Sequence, residues 1–132
     1  LAIAAFIAHP IGRTVWYFSL FWLIPIAAHF FRDRFLFARA LGATFTAHAV
    51  GGALWIWVFA LPAQVWNSLI PVVIAERLLF ALGLSGSFIL VNNLLGFLEK
   101  KRLLNLGFYI DQKYLAPVLR TEQNASTTSS TT

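Results

Sequence analysis

The chain has 132 residues, of which 59% are hydrophobic and 11% charged. A soluble domain carries about 25% charged residues, so too few charges are present to solvate a globular surface, and lipid is the expected solvent for much of it. The absence of cysteine excludes disulfides, thiolate metal sites and thiol nucleophiles. The net charge is +5, but the basic residues stand beside apolar segments, which points to membrane anchoring rather than to nucleic acid.

Taken in order, the chain predicts an all-α, polytopic transmembrane bundle over residues 1–102, with three full spans after an N-terminal partial span. Leu1 to Ala8 is too short to cross a bilayer and lacks the charged leader of a signal peptide; it reads as the tail of a first spanning helix that begins upstream. His9, Pro10 and Gly12 break it, and His9 reads as a loop histidine. Residues 14–31 form the second span, with Trp16, Tyr17 and Trp22 near an interface. Pro25 lacks an amide donor and should kink it. His29 stands at its far end beside Arg32, Asp33 and Arg34. The basic loop from Arg32 to Arg39 marks the cytoplasmic side.

The third span covers residues 39–61. Ala43, Ala47 and Gly51 recur every fourth residue, as do Ala38 and Gly42, and Ala49 and Ala53. Together with Gly52 they offer faces on which another helix can approach closely. Trp55 and Trp57 mark the opposite end, and Pro62 to Asn67 is an uncharged outer turn. The fourth span covers residues 69–98 and carries Gly83 and Gly86 as further packing glycines. A single helix from Ser68 would be about 46 Å long at about 1.5 Å per residue, against a hydrocarbon core of about 30 Å. It therefore tilts, or Ser68 to Ala75 is a separate interfacial piece with Pro71 in its first turn. It ends at a second basic cluster, residues 99–102, so the C-terminus is expected in the cytoplasm. Residues 103–120 mix aromatic and charged residues, as in a segment lying on the membrane or docked on a partner. Residues 121–132 read as a disordered Ser/Thr-rich tail, and the sequon at Asn124 would be silent on the cytoplasmic side.

Polar groups at membrane depth are expensive and mark candidate function. Glu76 and Arg77 have two readings. They hold the bundle together or snorkel to headgroups, or they point into a cavity walled by Trp55, Trp57, Trp66, Asn67 and His48 that binds a polar solute. Asn92 and Asn93 must be satisfied in lipid; with Thr46 (and Thr44) at similar depth, interhelix hydrogen bonds are the expected role. His29 and His48 are offset by about 9 Å along their helices, which suits a shared haem poorly. His48 alone is more often a packing residue than a pigment ligand. No metal site and no cofactor are predicted.

Two resemblances attach to these residues. Gly83-Leu84-Ser85-Gly86 and Ala47-His48-Ala49-Val50-Gly51 are similar to motifs of rhomboid intramembrane serine proteases, in which serine and histidine form nucleophile and base. Here the histidine helix precedes the serine helix, the reverse of the rhomboid order, and helix packing accounts for both motifs without chemistry. The stretch from Ala47 to Gly83, AHAVGGALWIWVFALPAQVWNSLIPVVIAERLLFALG, resembles the last helix pair of the substrate-binding S components of energy-coupling factor transporters. It shares a glycine-rich helix ending in tryptophan, an uncharged outer turn and a proline-led helix with an early charge. The resemblance implies a non-enzymatic subunit that binds a micronutrient near the outer face. It also implies partners, a transmembrane coupling subunit and ATPases. The sequence thus leads to a solute-binding transport component of a prokaryotic inner membrane, with a structural accessory subunit of a larger membrane complex as the alternative.

Overall fold

The computed structural model describes residues 1–101 and 109–120. Every regular element among them is helical. The order is α1 (Ala2–Ala8), α2 (Pro10–Thr14), a 310 segment (Trp16–Leu23), α3 (Ile24–Phe31), α4 (Leu36–Phe59), α5 (Ala63–Lys100) and a short 310 turn (Gln112–Tyr114). The described chain divides into two compact units at Ser85 and Gly86, inside α5.

Among the described residues two helices, not three, are long and apolar enough to cross a membrane: Leu36–Phe59, with mean hydropathy 1.3, and Ala63–Glu99, with mean hydropathy 1.8. The expected full span over residues 14–31 is shorter and composite. Its first half is wound as a 310 helix, which brings residues three apart into line. Val15 and Phe18 lie buried on one such row, and Ser19 and Trp22 on the next. Pro25 falls in the first turn of α3, where a missing amide donor costs nothing. It starts a helix instead of kinking one. The expected partial span over residues 1–8 is the seven-residue α1, whose Phe6 is fully buried.

The first unit closes around aromatic rings. The Phe6 ring meets Trp22 and Trp66 edge-on, both at 5.1 Å, and stacks on Phe18 at 6.0 Å. Trp66 meets Phe18 edge-on at 5.0 Å. Edge-to-face pairs contribute beyond the area they bury, and these fix the position of Trp66 against the N-terminal helices. α2 reaches its place because Gly12 lets it lie on α1: a Cβ there would stand 1.9 Å from the Phe6 carbonyl oxygen. His9 is the N-cap of α2, its Nδ1 accepting from the Ile11 amide at 3.3 Å, and its ring meets Trp57 edge-on at 5.1 Å.

α4 uses two of its three small-residue rows for packing. Gly42 faces α3, where an added Cβ would lie 3.4 Å from Ala28 Cβ, and Ala49 and Ala53 are in the core. The third row, Ala43, Ala47 and Gly51, is exposed. A Cβ on Gly51, Gly83 or Gly86 would meet nothing within 4 Å, so none of these three expected packing glycines packs against another element among the described residues. Gly52 does: its Cβ would come within 2.9 Å of Trp22 Cζ2. α4 ends at Ala60 in the left-handed conformation, φ 43°, its amide bonded to the Ile56 carbonyl at 3.2 Å.

α5 is one continuous 38-residue helix beginning after Pro62, with Pro71 inside it. The alternative of a separate interfacial piece over Ser68 to Ala75 is therefore not adopted. In the first unit Trp66, Val73 and Ala81 are buried and Leu69, Ile70, Arg77 and Ser85 half-buried, a stripe at helical spacing. Only 11% of its most apolar window is buried, and Leu78, Leu79, Leu82 and Leu84 are all exposed. Hydroxyls are satisfied within their own helices, Thr44 by Leu41 O at 3.0 Å, Thr46 by Gly42 O at 2.8 Å and Ser85 by Ala81 O at 2.7 Å. Thr46 thus bonds backwards along α4 instead of across to another helix, because its hydroxyl can reach the carbonyl one turn earlier.

In the second unit the end of α5 holds residues 111–116. Asn92, 6% exposed, donates to Asp111 O at 3.0 Å and accepts from Asp111 N at 2.8 Å. Asn93 donates to Tyr114 O at 2.9 Å and to Ile89 O at 2.8 Å, and accepts from Ala116 N at 2.7 Å. Leu115 is buried against Gly96, where a Cβ would stand 2.8 Å from Leu115 Cδ2. The asparagines bind the ends of a 310 turn, and not a facing spanning helix, because an amide side chain offers the donor and acceptor that backbone groups outside a long helix need. The expected tail over residues 121–132, its sequon at Asn124 and part of the 103–120 segment lie outside the described residues.

Candidate functional site

A cleft of about 360 Å³ opens between α4 and α5 in the first unit. It exists because of the small-residue row that α4 does not use for packing. Ala47 and Gly51 make its floor, with Gly52 beside them under Trp22, and no side chain rises from Gly51 to fill it. Phe18, Trp55 and Trp66 stand as aromatic walls, Leu69 and Val73 close the α5 side, and His48, Glu76 and Arg77 supply the polar groups. An apolar concavity with a few converging polar groups is the usual form of a small-molecule site.

The polar groups are not used up by the protein. Arg77 Nη2 donates to Glu76 Oε2 at 3.1 Å, with side-chain exposures of 17% and 50%, and its guanidinium carbon lies 5.0 Å from the Phe80 ring centroid. Its Nε is buried and has no hydrogen-bond partner; neither has His48 Nε2, nor Trp22 Nε1 outside the cleft. Leaving a buried polar group unpaired costs about 1–3 kcal/mol, more for a charged one. Both the Arg77 and the His48 nitrogen are enclosed by protein atoms, so neither is open to the space of the cleft.

Of the seven residues that the sequence singled out for solute binding, five converge here: His48, Trp55, Trp66, Glu76 and Arg77. Trp57 does not. Two residues from Trp55, it is turned to the other side of α4, where its Nε1 donates to Ala5 O at 3.0 Å. Asn67 stands outside the cleft as well, its Oδ1 accepting from the Tyr17 hydroxyl. Phe18, Leu69 and Val73 were missed because an apolar residue in an apolar helix carries no signal of its own. Ser85 does not line the cleft and its hydroxyl is bonded to Ala81 O, so no Ser85–His48 nucleophile pair is formed. His29 is held with Arg32, at 3.2 Å, and lines different cavities from His48. Among the described residues no group of three or more His, Cys, Asp or Glu side chains could hold a metal.

No family model, curated protein or solved structure matches this chain.

Proposed function

We propose that this chain is a membrane solute-binding component and that the α4–α5 cleft is its binding site. The observation that carries the reading is the cleft itself: aromatic walls, a glycine floor, and polar side chains from His48, Glu76 and Arg77 in its lining. A charge at membrane depth costs about 2.5–3.5 kcal/mol on insertion scales. Arg77 lies about 20 Å along α5 from its start, on the stripe turned toward the protein, where a role in binding offsets that cost.

In this reading α4 and α5 cross the bilayer as an antiparallel pair. The exposed leucines of α5 face lipid, as its low burial favours. Arg32 to Arg39 and residues 99–102 are cytoplasmic by the bias of basic loops, in a prokaryotic inner membrane. At about 57 Å, α5 is longer than the hydrocarbon core of about 30 Å, so Asn92 and Asn93 stand near the inner headgroups. The coupling subunit and ATPases implied by the sequence resemblance are the partners to which the solute would be delivered.

Gly51→Leu tests the reading. No atom lies within 4 Å of a Cβ at this position, so the side chain fits the fold while filling the cleft. Solute uptake in cells, or ligand binding by the reconstituted chain, should be lost with stability retained. Full activity in Gly51→Leu would remove the cleft from the function. The second reading, an accessory subunit, is favoured by the open positions of Gly83 and Gly86, onto which a partner helix could close. The chain has no cysteine, so single cysteines at these two positions that cross-link to another subunit in native membranes would favour it.

A further inference from the structure

The groove between α3 and α4 holds another cavity, of about 220 Å³. Pro25, Ala28, His29 and Arg32 line it from one face of α3, at helical spacing, and Arg39, Gly42 and Thr46 line it from α4. The helices come close at Gly42, where a Cβ would stand 3.4 Å from Ala28 Cβ and 4.0 Å from Pro25 Cα. Chemistry changes along the groove. At the loop end stand two arginines and a histidine, and none of the described residues that line the cavity is acidic. At the other end Thr46 gives its hydroxyl proton to Gly42 O at 2.8 Å. A further cavity of about 340 Å³ shares Pro25, His29 and Thr46 and adds Ile26 and Phe30, which are 59% and 79% exposed. A cationic end beside a basic loop, continuing into an apolar trough, matches the two halves of an anionic phospholipid.

The cationic end is set by its own contacts. Arg32 Nη1 donates to His29 Nδ1 at 3.2 Å. A guanidinium only donates, so Nδ1 accepts, and the neutral ring carries its proton on Nε2. Arg32 Nε lies 3.7 Å from Asp33 Oδ1, with side-chain exposures of 50% and 94%. Such an exposed pair contributes little, and a guest can reach the Arg32 donors that these two contacts leave. Guanidinium forks suit phosphate oxygens, and basic pockets between spanning helices on the cytoplasmic side hold anionic headgroups. No acidic side chain stands in the first turn of α4, so the positive end of that helix adds to the same field. We infer that the α3–α4 groove binds one anionic phospholipid of the cytoplasmic leaflet, its phosphate on Arg32 and His29 beside Arg39 and an acyl chain along Ile26 and Phe30. The inference rests on the chain being embedded in a membrane, and not on the α4–α5 cleft being a solute site. A free phosphate ester offers the same oxygens; the apolar trough favours the lipid.

The test titrates the full chain, in detergent micelles, with phosphatidylglycerol or with phosphatidylcholine of the same acyl chains, and counts bound lipid by native mass spectrometry. Phosphatidylcholine brings a cation against the arginines. A hydrogen bond to a charged group is strong enough to change binding at least about tenfold, so one phosphatidylglycerol should be held at least about tenfold more tightly than phosphatidylcholine. Arg32→Gln should erase most of that preference and leave phosphatidylcholine binding unchanged. Arg39→Gln should reduce it about fivefold, the usual effect of one basic residue near an anionic surface. Arg34→Gln removes the same charge from the same loop, but Arg34 does not line the cavity, so this variant should keep the preference. Equal retention of the two lipids by the unaltered chain overturns the site. So does an equal loss in Arg34→Gln and Arg32→Gln, which would leave only a basic loop. Displacement of the bound lipid by inorganic phosphate or glycerol 3-phosphate would assign the groove to a free phosphate and overturn the lipid. None of these outcomes bears on the α4–α5 cleft, which Gly51→Leu tests separately.

Discussion

Gly51 and Gly52 are neighbours on α4 with opposite surroundings, and alanine at each should have opposite consequences. Alanine is favoured over glycine in a helix by about 0.8–1.0 kcal/mol, and this term is common to both variants, so it cancels in their difference. What remains is the environment of the new methyl. At Gly51 it meets nothing within 4 Å; at Gly52 it meets Trp22 Cζ2 at 2.9 Å, Cη2 at 3.6 Å and Cε2 at 3.8 Å. Trp22 cannot swing away easily, because it is 4% exposed and lies edge-on to Phe6 at 5.1 Å. Overpacking a core typically costs about 1–3 kcal/mol. Gly52→Ala should therefore be less stable than Gly51→Ala by about that amount, with Gly51→Ala at or above the parent. Reversible unfolding of the reconstituted protein by denaturing detergent gives the comparison. Combining Gly52→Ala with Trp22→Phe, which shortens the obstructing ring, should recover part of the loss. Equal stability of the two alanine variants would refute the placement of Trp22 over Gly52, and with it the account of why only one row of α4 is left open.

Other outcomes follow from single contacts. Trp55→Phe should change ligand binding with little effect on stability. Trp57→Phe should do the reverse, losing the hydrogen bond to Ala5 O, worth about 1 kcal/mol; binding and unfolding measured on both variants check the division. Ala60→Gly should stabilise the chain by about 1 kcal/mol by relieving a left-handed residue with a Cβ, read as a shift in the unfolding midpoint. Asn92→Leu should leave the Asp111 amide without a partner, at about 1–3 kcal/mol if it stays buried, while the Asp111 carbonyl keeps the Tyr114 amide at 3.1 Å. Hydrogen exchange at the Asp111 amide should then lose its protection.

Much of the cleft was legible because a short turn fixes the pairing of two antiparallel helices. Residues at about the same distance from the turn come to similar depth, so Trp55 and Trp66, or His48 and Glu76, could be brought within two residues of the same level by counting. Counting gives depth but not rotation. Trp55 and Trp57 are about 200° apart around a helix, and nothing local in the sequence states which of them faces the cleft and which faces α1. The same gap explains the small-residue rows: the spacing revealed three, while the choice of which two to bury depends on where Ala28 and Trp22 stand. The segment at residues 14–31 was misjudged for another reason. Apolarity and length are blind to helix type, and a 310 stretch followed by a proline-started helix has the composition of a span. Similarly, Pro71 was placed in a first turn, although Pro62 is the residue after which the helix begins.

The seam between α5 and residues 111–116 joins side chains on one part to main chain on the other. Asn92 and Asn93 touch only carbonyls and amides of the segment, and every residue type except proline presents the same pair. Leu115, which fills the space over Gly96, and Tyr114, whose ring meets Phe88 edge-on at 5.6 Å, are where the segment's own side chains are read. Such a fastening is lopsided under mutation. A change at either asparagine opens it, while the segment can exchange most of its letters and stay fastened. Selection on this stretch would therefore act on the helix, leaving the segment free to acquire new surface chemistry without losing its place.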